Sequence, residues 1–230
     1  MYKRILIKIS GEILIKDGQP LCIDALTATA RDIKTLSKRG TEIGIVIGGG
    51  NIMRGRNSGE FNRVRLDNMG MLATAINALA LQEALEQQGQ PSVVMSPIEM
   101  QRFCEPYSTR AALAAFAEGK TVIFACGTGC PFFSTDTAAA LRAAEIGADA
   151  LLLAKSVDGV YDKDPKQFQD AVLYETISYD RVISEELHAT DLTAITLCKE
   201  QGIAIKVFAL DKILDVADGL KTGTLICADN

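Results

Sequence analysis

Two hydrophobic periods alternate along the chain. In YKRILIKIS the apolar residues Ile5, Ile7 and Ile9 recur at every second position before Gly11, which predicts a strand running into a loop. From Ile23 the period lengthens. Ile23, Leu26, Ile33 and Leu36 keep helical spacing, and Gly40 after Lys38 and Arg39 supplies a C-terminal stop. TEIGIVIGGG is apolar on both faces, as strands of a covered parallel sheet are. A long Ala- and Leu-rich helix is expected from Arg65 to Gln88, then a short strand in PSVVMS and a helix from Thr109 to Glu118 closed by Gly119. KTVIFAC reads as a buried strand, a helix follows through Ile146, and GADALLLA is strand again.

The last third is less regular. SVDGVYDKDP places Asp158-Gly159 between short apolar flanks, which predicts a hairpin ended by Pro165, and Lys166 to Ser178 reads as polar loop. Asp191 sits where an N-cap would accept the free N–H groups of a helix running to Gln201. IAIKVFAL is the final long strand and TGTLI a short edge strand. Strand–helix–strand units with short connections predict an α/β fold of three layers, αβα, around a central, mostly parallel sheet. With no repeat, low-complexity stretch or linker, residues 1–230 read as a single domain.

Composition narrows the function. The 230 residues are 48% hydrophobic and 23% charged, an ordinary globular balance, and a formal charge of −5 argues against nucleic acid, which needs a broad cationic surface. Arg54, Arg56, Arg63 and Arg65 concentrate positive charge in one segment, enough for a small anion. MYKRILIKIS enters a β-like run without a signal-peptide core, and no apolar run approaches the roughly 20 residues of a membrane helix. Six scattered cysteines without C-x-x-C pairs suit reduced thiols, so a cytoplasmic protein without membrane contact is expected.

Three unusual loops follow strands: KISGE, IGGGNIMRG and GTGCPFFSTD. In an open parallel sheet they would share the edge where ligands bind. Lys8 alone could be a surface lysine, but beside Gly11 it can neutralise a phosphoryl group. Gly48-Gly49-Gly50 removes every Cβ, so a ligand can touch bare N–H groups. GTGCPFFSTD is no dinucleotide fingerprint, because Phe132 stands where the third glycine belongs. Gly119-Lys120-Thr121 is no Walker loop, because Ala114 stands where its first glycine belongs. Cys126 and Cys130 lack histidine partners, and His188, the one histidine, reads as solvated; no metal-ligating set is expected. What remains is Lys8, Arg54, glycine amides, the hydroxyls of Thr128, Ser134 and Thr135, and the acids Asp67, Asp136 and Asp191. Cations and amides without an evident base suit phosphoryl transfer, a reaction run by positioning and charge stabilisation.

KISGE, VIGGGNIMRG, NRVRLDNMGMLATAINALAL, GTGCPFFSTDTAAALRAAEI and KSVDGVYDKDP, in this order from about Lys3 to Ile226, resemble the bacterial-type UMP kinases (uridylate kinases) of the amino acid kinase superfamily. The resemblance implies γ-phosphoryl transfer from ATP to UMP, with Mg²⁺ bound mainly through the ATP phosphates, in pyrimidine nucleotide synthesis. It implies a UMP-binding lobe over about 1–150 and an ATP-binding lobe over about 151–230. Lys8, Asp136 and Asp191 would be catalytic. Lys8, Ile9, Ser10, Gly11, Gly50, Arg54, Lys155, Tyr161 and Asp164 would meet ATP. Gly49, Asp67, Thr128, Gly129, Cys130, Pro131, Phe132, Phe133, Ser134 and Thr135 would meet UMP. A homohexamer with GTP or UTP as effectors is also implied. The chain departs from the family's pattern at Cys130, where Asn is usual, at Thr190, where Met is usual and a packing change is expected, and over Ile15 to Leu21. An amino-acid or carbamate kinase of the same superfamily, or a catalytically silent nucleotide-binding regulator, are the other readings.

Overall fold

The computed structural model describes residues 2–16, 18–53, 61–165, 167–187 and 190–229. Among these residues nine strands form one sheet: β1 (Arg4–Ile9), β2 (Glu42–Ile47), β3 (Ser92–Ser96), β4 (Glu105–Pro106), β5 (Thr121–Phe124), β6 (Ala150–Lys155), β7 (Thr176–Ser178), β8 (Ala204–Ala209) and β9 (Thr224–Cys227). Their spatial order is β4-β3-β5-β2-β1-β6-β8-β9-β7. Every neighbouring pair is parallel except β8–β9. Among the described residues the α-helices are α1 (Ile23–Lys38), α2 (Arg63–Gln87), α3 (Thr109–Ala117), α4 (Thr135–Ile146), α5 (Tyr179–Ser184), α6 (Leu192–Gln201) and α7 (Ile213–Ala217).

Alternation along β1 decides what faces what. Ile5, Ile7 and Ile9 join the core under α1, α2 and α7, with Leu26, Ile33, Leu81 and Val216. Leu6 faces the other core, under α3 to α6, with Phe116, Ala139, Ala143, Val182 and Ile195. Lys8, two residues past Leu6, is therefore carried on the α4 side of the sheet. Ala138, Ala139, Ala140 and Ala143 are all fully buried, so α4 can lie close over the strands.

The central elements match the sequence expectation, and the ends differ. The long helix starts at Arg63 because the Asn62 side chain caps it, accepting from the N–H groups of Val64 and Arg65. TGTLI is not an edge strand: β9 lies between β8 and β7, and β7, within the stretch expected to be loop, is the edge. Tyr179 and Val182 bury the short α5 behind it. At the opposite edge sits the two-residue β4, too short to leave a periodic signal. The hairpin at Asp158-Gly159 is also absent. Val160 and Asp162 instead bond Tyr174 and Val172 across a wide loop, with a single bridge between Tyr161 and Leu173. Gly159 serves close approach: a Cβ there would lie 2.6 Å from both Leu173 and Thr224. Among the described residues, no helix is long and apolar enough to cross a membrane.

Thr224 ties this region together. Its buried hydroxyl accepts from the Val160 N–H at 2.8 Å and donates to the Tyr174 carbonyl. Thr224→Val should leave both groups without a partner and cost about 1–3 kcal/mol in urea unfolding, whereas Thr224→Ser should retain most of the stability. Equal losses in the two variants would remove the hydroxyl from this account.

Candidate active site

The carboxyl ends of β1, β2, β5 and β6 open on one edge of the sheet, because these strands are parallel neighbours. A cavity of about 450 Å³ lies there, and Lys8, Gly49, Gly50, Asp67, Asp136 and Asp191 are among its lining residues.

Strand register assembles its charged centre. Lys8 pairs with Leu153 across β1 and β6, so Lys155, two residues beyond Leu153, projects from the same face. α4 begins over that face, capped by Ser134, whose hydroxyl accepts from the Thr137 N–H at 3.1 Å. This delivers Asp136, in the first turn, between the two lysines. Lys8 Nζ lies 2.6 Å from Asp136 Oδ1, and Lys155 Nζ lies 3.2 Å from Oδ2. Thr190 Oγ1 also donates to Oδ2, at 2.7 Å. Burial disfavours the Asp136 carboxylate, but Lys8, Lys155 and Thr190 outweigh it and hold its pKa well below the usual carboxylate range. Burial pushes the Lys155 ammonium below its ordinary range, with Asp136 opposing the shift and Lys8 adding to it.

The glycine loop is held from behind by α2. Asn77, fully buried, donates to the Gly48 carbonyl at 2.6 Å and to Asn51 Oδ1 at 2.7 Å. Bare backbone is required here: a Cβ on Gly11 would lie 2.5 Å from the Gly48 carbonyl oxygen, and one on Gly49 would lie 2.8 Å from that of Gly70. Two other α2 side chains hold the GTGCPFFSTD loop. The Thr74 hydroxyl accepts from the Cys126 N–H at 2.8 Å. Asp67 accepts from the Phe132 N–H at 2.8 Å and pairs with Arg63, also at 2.8 Å. Cys126 and Phe132 both take left-handed φ angles, +59° and +73°. These hydrogen bonds offset a conformation that costs a non-glycine residue about 1–2 kcal/mol.

The expected residues divide between two cavities. Lys8, Gly49, Gly50, Asp67, Thr128, Cys130, Phe133, Ser134, Thr135, Asp136 and Asp191 line the first. Lys155, Tyr161 and Asp164 line a second, of about 350 Å³, with Gly159, Pro165 and Leu187. Asp136 joins the two through its ion pair with Lys155. The Ile9 side chain is buried in the core, so only its main chain is available to a ligand. Ser10 and Gly11 follow at the β1 end, where Ser10 precedes a short 3-10 turn. Phe132 is 65% exposed, and Gly129 packs beside Pro97, with Pro131 between them. Arg54, Arg56 and His188 lie outside the described residues.

Two readings are corrected. Asp191 occupies the N-cap position of α6, but its side chain makes no cap hydrogen bond; it lines the first cavity instead. Thr190 is more than a packing change, since its hydroxyl bonds Asp136. Asn77 and Thr74 are functional candidates that the sequence reading passed over. The available signal was a polar residue on the apolar face of an Ala- and Leu-rich helix.

Residues 3–209 match the amino acid kinase family. The chain belongs to the amino acid kinase family. Among solved structures, this amino acid kinase is similar to a UMP kinase from Bacillus anthracis, at 36% identity over 100% of this chain and 97% of the other, with a TM-score of 0.96. It is similar as well to a UMP kinase from Ureaplasma parvum, at 38% identity over 99% of both chains, with a TM-score of 0.93. The uridylate kinase from Archaeoglobus fulgidus shares the fold at 24% identity and a TM-score of 0.74, over 97% of this chain and 99% of that one. The expected three-layer α/β fold and family resemblance are thus both found.

Because the Asp136 pKa is depressed in the folded state, the unfolded chain binds more protons below the ordinary carboxylate value of about 3.9. The stabilisation is therefore full above that pH and is lost as pH falls through the folded value. Asp136→Asn should cost about 3–5 kcal/mol at pH 7, by leaving the buried Lys8 and the half-buried Lys155 without their carboxylate, and should flatten the acid limb of stability. Denaturant melts from pH 7 to pH 3 measure both effects; unchanged stability at pH 7 would contradict the pairing.

Proposed function

We propose that this amino acid kinase transfers the γ-phosphoryl group of ATP to UMP, giving UDP for pyrimidine nucleotide synthesis. The observation that carries this reading is the Lys8–Asp136–Lys155 cluster joining two cavities, on a chain aligned end to end with solved UMP kinases. UMP takes the first cavity, within the lobe of about 1–150. Asp67 meets the ribose, Gly49 and Thr128 to Thr135 wrap the nucleotide, and Phe133 and Cys130 stand at the rim. ATP takes the second, largely in the lobe of about 151–230, with Lys155, Tyr161 and Asp164 around the nucleoside. Its phosphates reach toward Ser10, Gly11 and Gly50.

Lys8 and Lys155 bring two ammonium groups to the Asp136 carboxylate, and such cations offset the charge of a transferring phosphoryl group. Asp136 orients Lys8, and Asp191 lies across the same cavity. Among the described residues no three His, Cys, Asp or Glu side chains form a metal-holding group. Mg²⁺ carried on the ATP phosphates fits that donor set, because it needs few protein ligands, and Asp191 would help to hold it through water. When bound, Mg²⁺ offsets phosphate charge. Six free thiols, one of them the exposed Cys130, favour the cytoplasm as the compartment.

An ADP-release assay across UMP, CMP, dTMP and amino acids tests the acceptor, with GTP and UTP added as effectors. UMP should be turned over fastest. Preference for an amino acid would support the other superfamily activity, and no turnover at all would support a silent regulator. Lys8→Ala should lower kcat about 10²–10³-fold, the loss typical of removing one charge-stabilising donor; near-normal turnover would remove Lys8 from the mechanism.

A homohexamer is part of the same reading. Met69, Leu72 and Ile76 form an apolar stripe on α2 and are 38%, 54% and 48% exposed, a surface suited to a second copy. Leu72→Glu with Ile76→Glu should reduce the mass seen by sedimentation; an unchanged mass would exclude this face from assembly.

A further inference from the structure

We propose that Thr190 is a positioning residue for phosphoryl transfer: its hydroxyl fixes the Asp136 carboxylate so that one oxygen is reserved for Lys8. This inference rests on the kinase reading above. Two ammonium groups and one hydroxyl converge on the carboxylate from three parts of the chain. Lys8 comes from β1 and reaches Oδ1 at 2.6 Å. Lys155 comes from the end of β6 and reaches Oδ2 at 3.2 Å. Thr190, at the entrance to α6, reaches Oδ2 at 2.7 Å.

The two lysines alone do not dictate which oxygen each takes. An ammonium group is a compact point charge that either oxygen satisfies, or that can straddle both. A threonine hydroxyl behaves differently. Its χ1 is stiff, because two heavy atoms branch from Cβ, and that one torsion places the donor oxygen. Thr190 therefore gives the carboxylate a directional partner without adding charge. With Oδ2 held by Thr190 and the more distant Lys155, Oδ1 is left to Lys8 at short range. The same bond fastens the backbone immediately before Asp191 to the first turn of α4. Two cavity-lining acids thus share one anchor, and a shift of the α6 entrance would be felt at Lys8.

Thr190→Val keeps shape and branching but removes the donor, and Thr190→Ser keeps the donor. Loss of one hydrogen bond to a charged group predicts a fall in kcat of about tenfold for Thr190→Val, with KM for ATP and for UMP within about twofold of wild type. Thr190→Ser should stay within about threefold of wild type in kcat. An unchanged kcat in Thr190→Val would overturn the proposal. So would an equal fall in Thr190→Ser, which would point to packing. The comparison uses whichever acceptor the wild-type enzyme phosphorylates, so failure of the UMP reading appears as wild-type preference, separately from failure here. If wild type phosphorylates nothing offered, the positioning role is overturned with it. A thermal-unfolding cycle of Thr190→Val with Asp136→Asn checks the bond itself. Non-additive shifts in Tm support it, and strictly additive shifts overturn it.

Discussion

One buried carboxylate sets the terms for the rest of the site. Asp136 stays ionised in a place that burial makes unfavourable for charge, which is possible only with cations within contact distance. Those cations cannot be recruited from flexible loops without losing precision. They come from two neighbouring strands whose register places Lys8 and Lys155 on one face. α4 must then start directly above that face, which its Ser134 cap and its run of buried alanines allow. Sheet register, helix cap and small-residue packing are thus one requirement seen from three sides.

α2 supplies the complementary constraint. Asp67, Gly70, Thr74 and Asn77 fall three or four positions apart, so they share one stripe of the helix. That stripe meets the glycine loop after β2 and the GTGCPFFSTD loop after β5, and it meets them with polar groups. Two loops from different strands are therefore referenced to a single rigid rod. Bare backbone N–H groups are useful to a phosphate only if their loops are held in place, and Asn77 and Thr74 hold these two loops from α2.

Much of this was legible in the sequence, for physical reasons. The long parallel strands announced themselves as two-faced apolar runs, and three glycine- or hydroxyl-rich loops after such strands had to converge on one edge. What escaped detection was short or relational. β7 has three residues and β4 has two, so neither completes a period. Thr190 gives no signal of its own; its meaning comes from Asp136, 54 positions away. The supposed cap at Asp191 failed because the N-cap position and cap chemistry are separable: the backbone takes the cap geometry while the side chain turns to the cavity.

Asp67 raises the question of whether a residue already engaged can still meet a substrate. Its carboxylate accepts from the Phe132 N–H and from Arg63 Nε, which contacts both oxygens. A carboxylate offers about four lone-pair sites, so capacity for a ribose hydroxyl remains on Oδ1, the oxygen not used by Phe132. The existing bonds help rather than compete, since they fix the carboxylate orientation and the left-handed turn at Phe132 before any ligand arrives. Arg63 also lies 5.9 Å from the Phe132 ring, so one cation steadies both the acid and the aromatic. Under the proposed function, acceptor specificity would reside in an arrangement set by α2 in advance, with the exposed Cys130 among the residues lining the cavity.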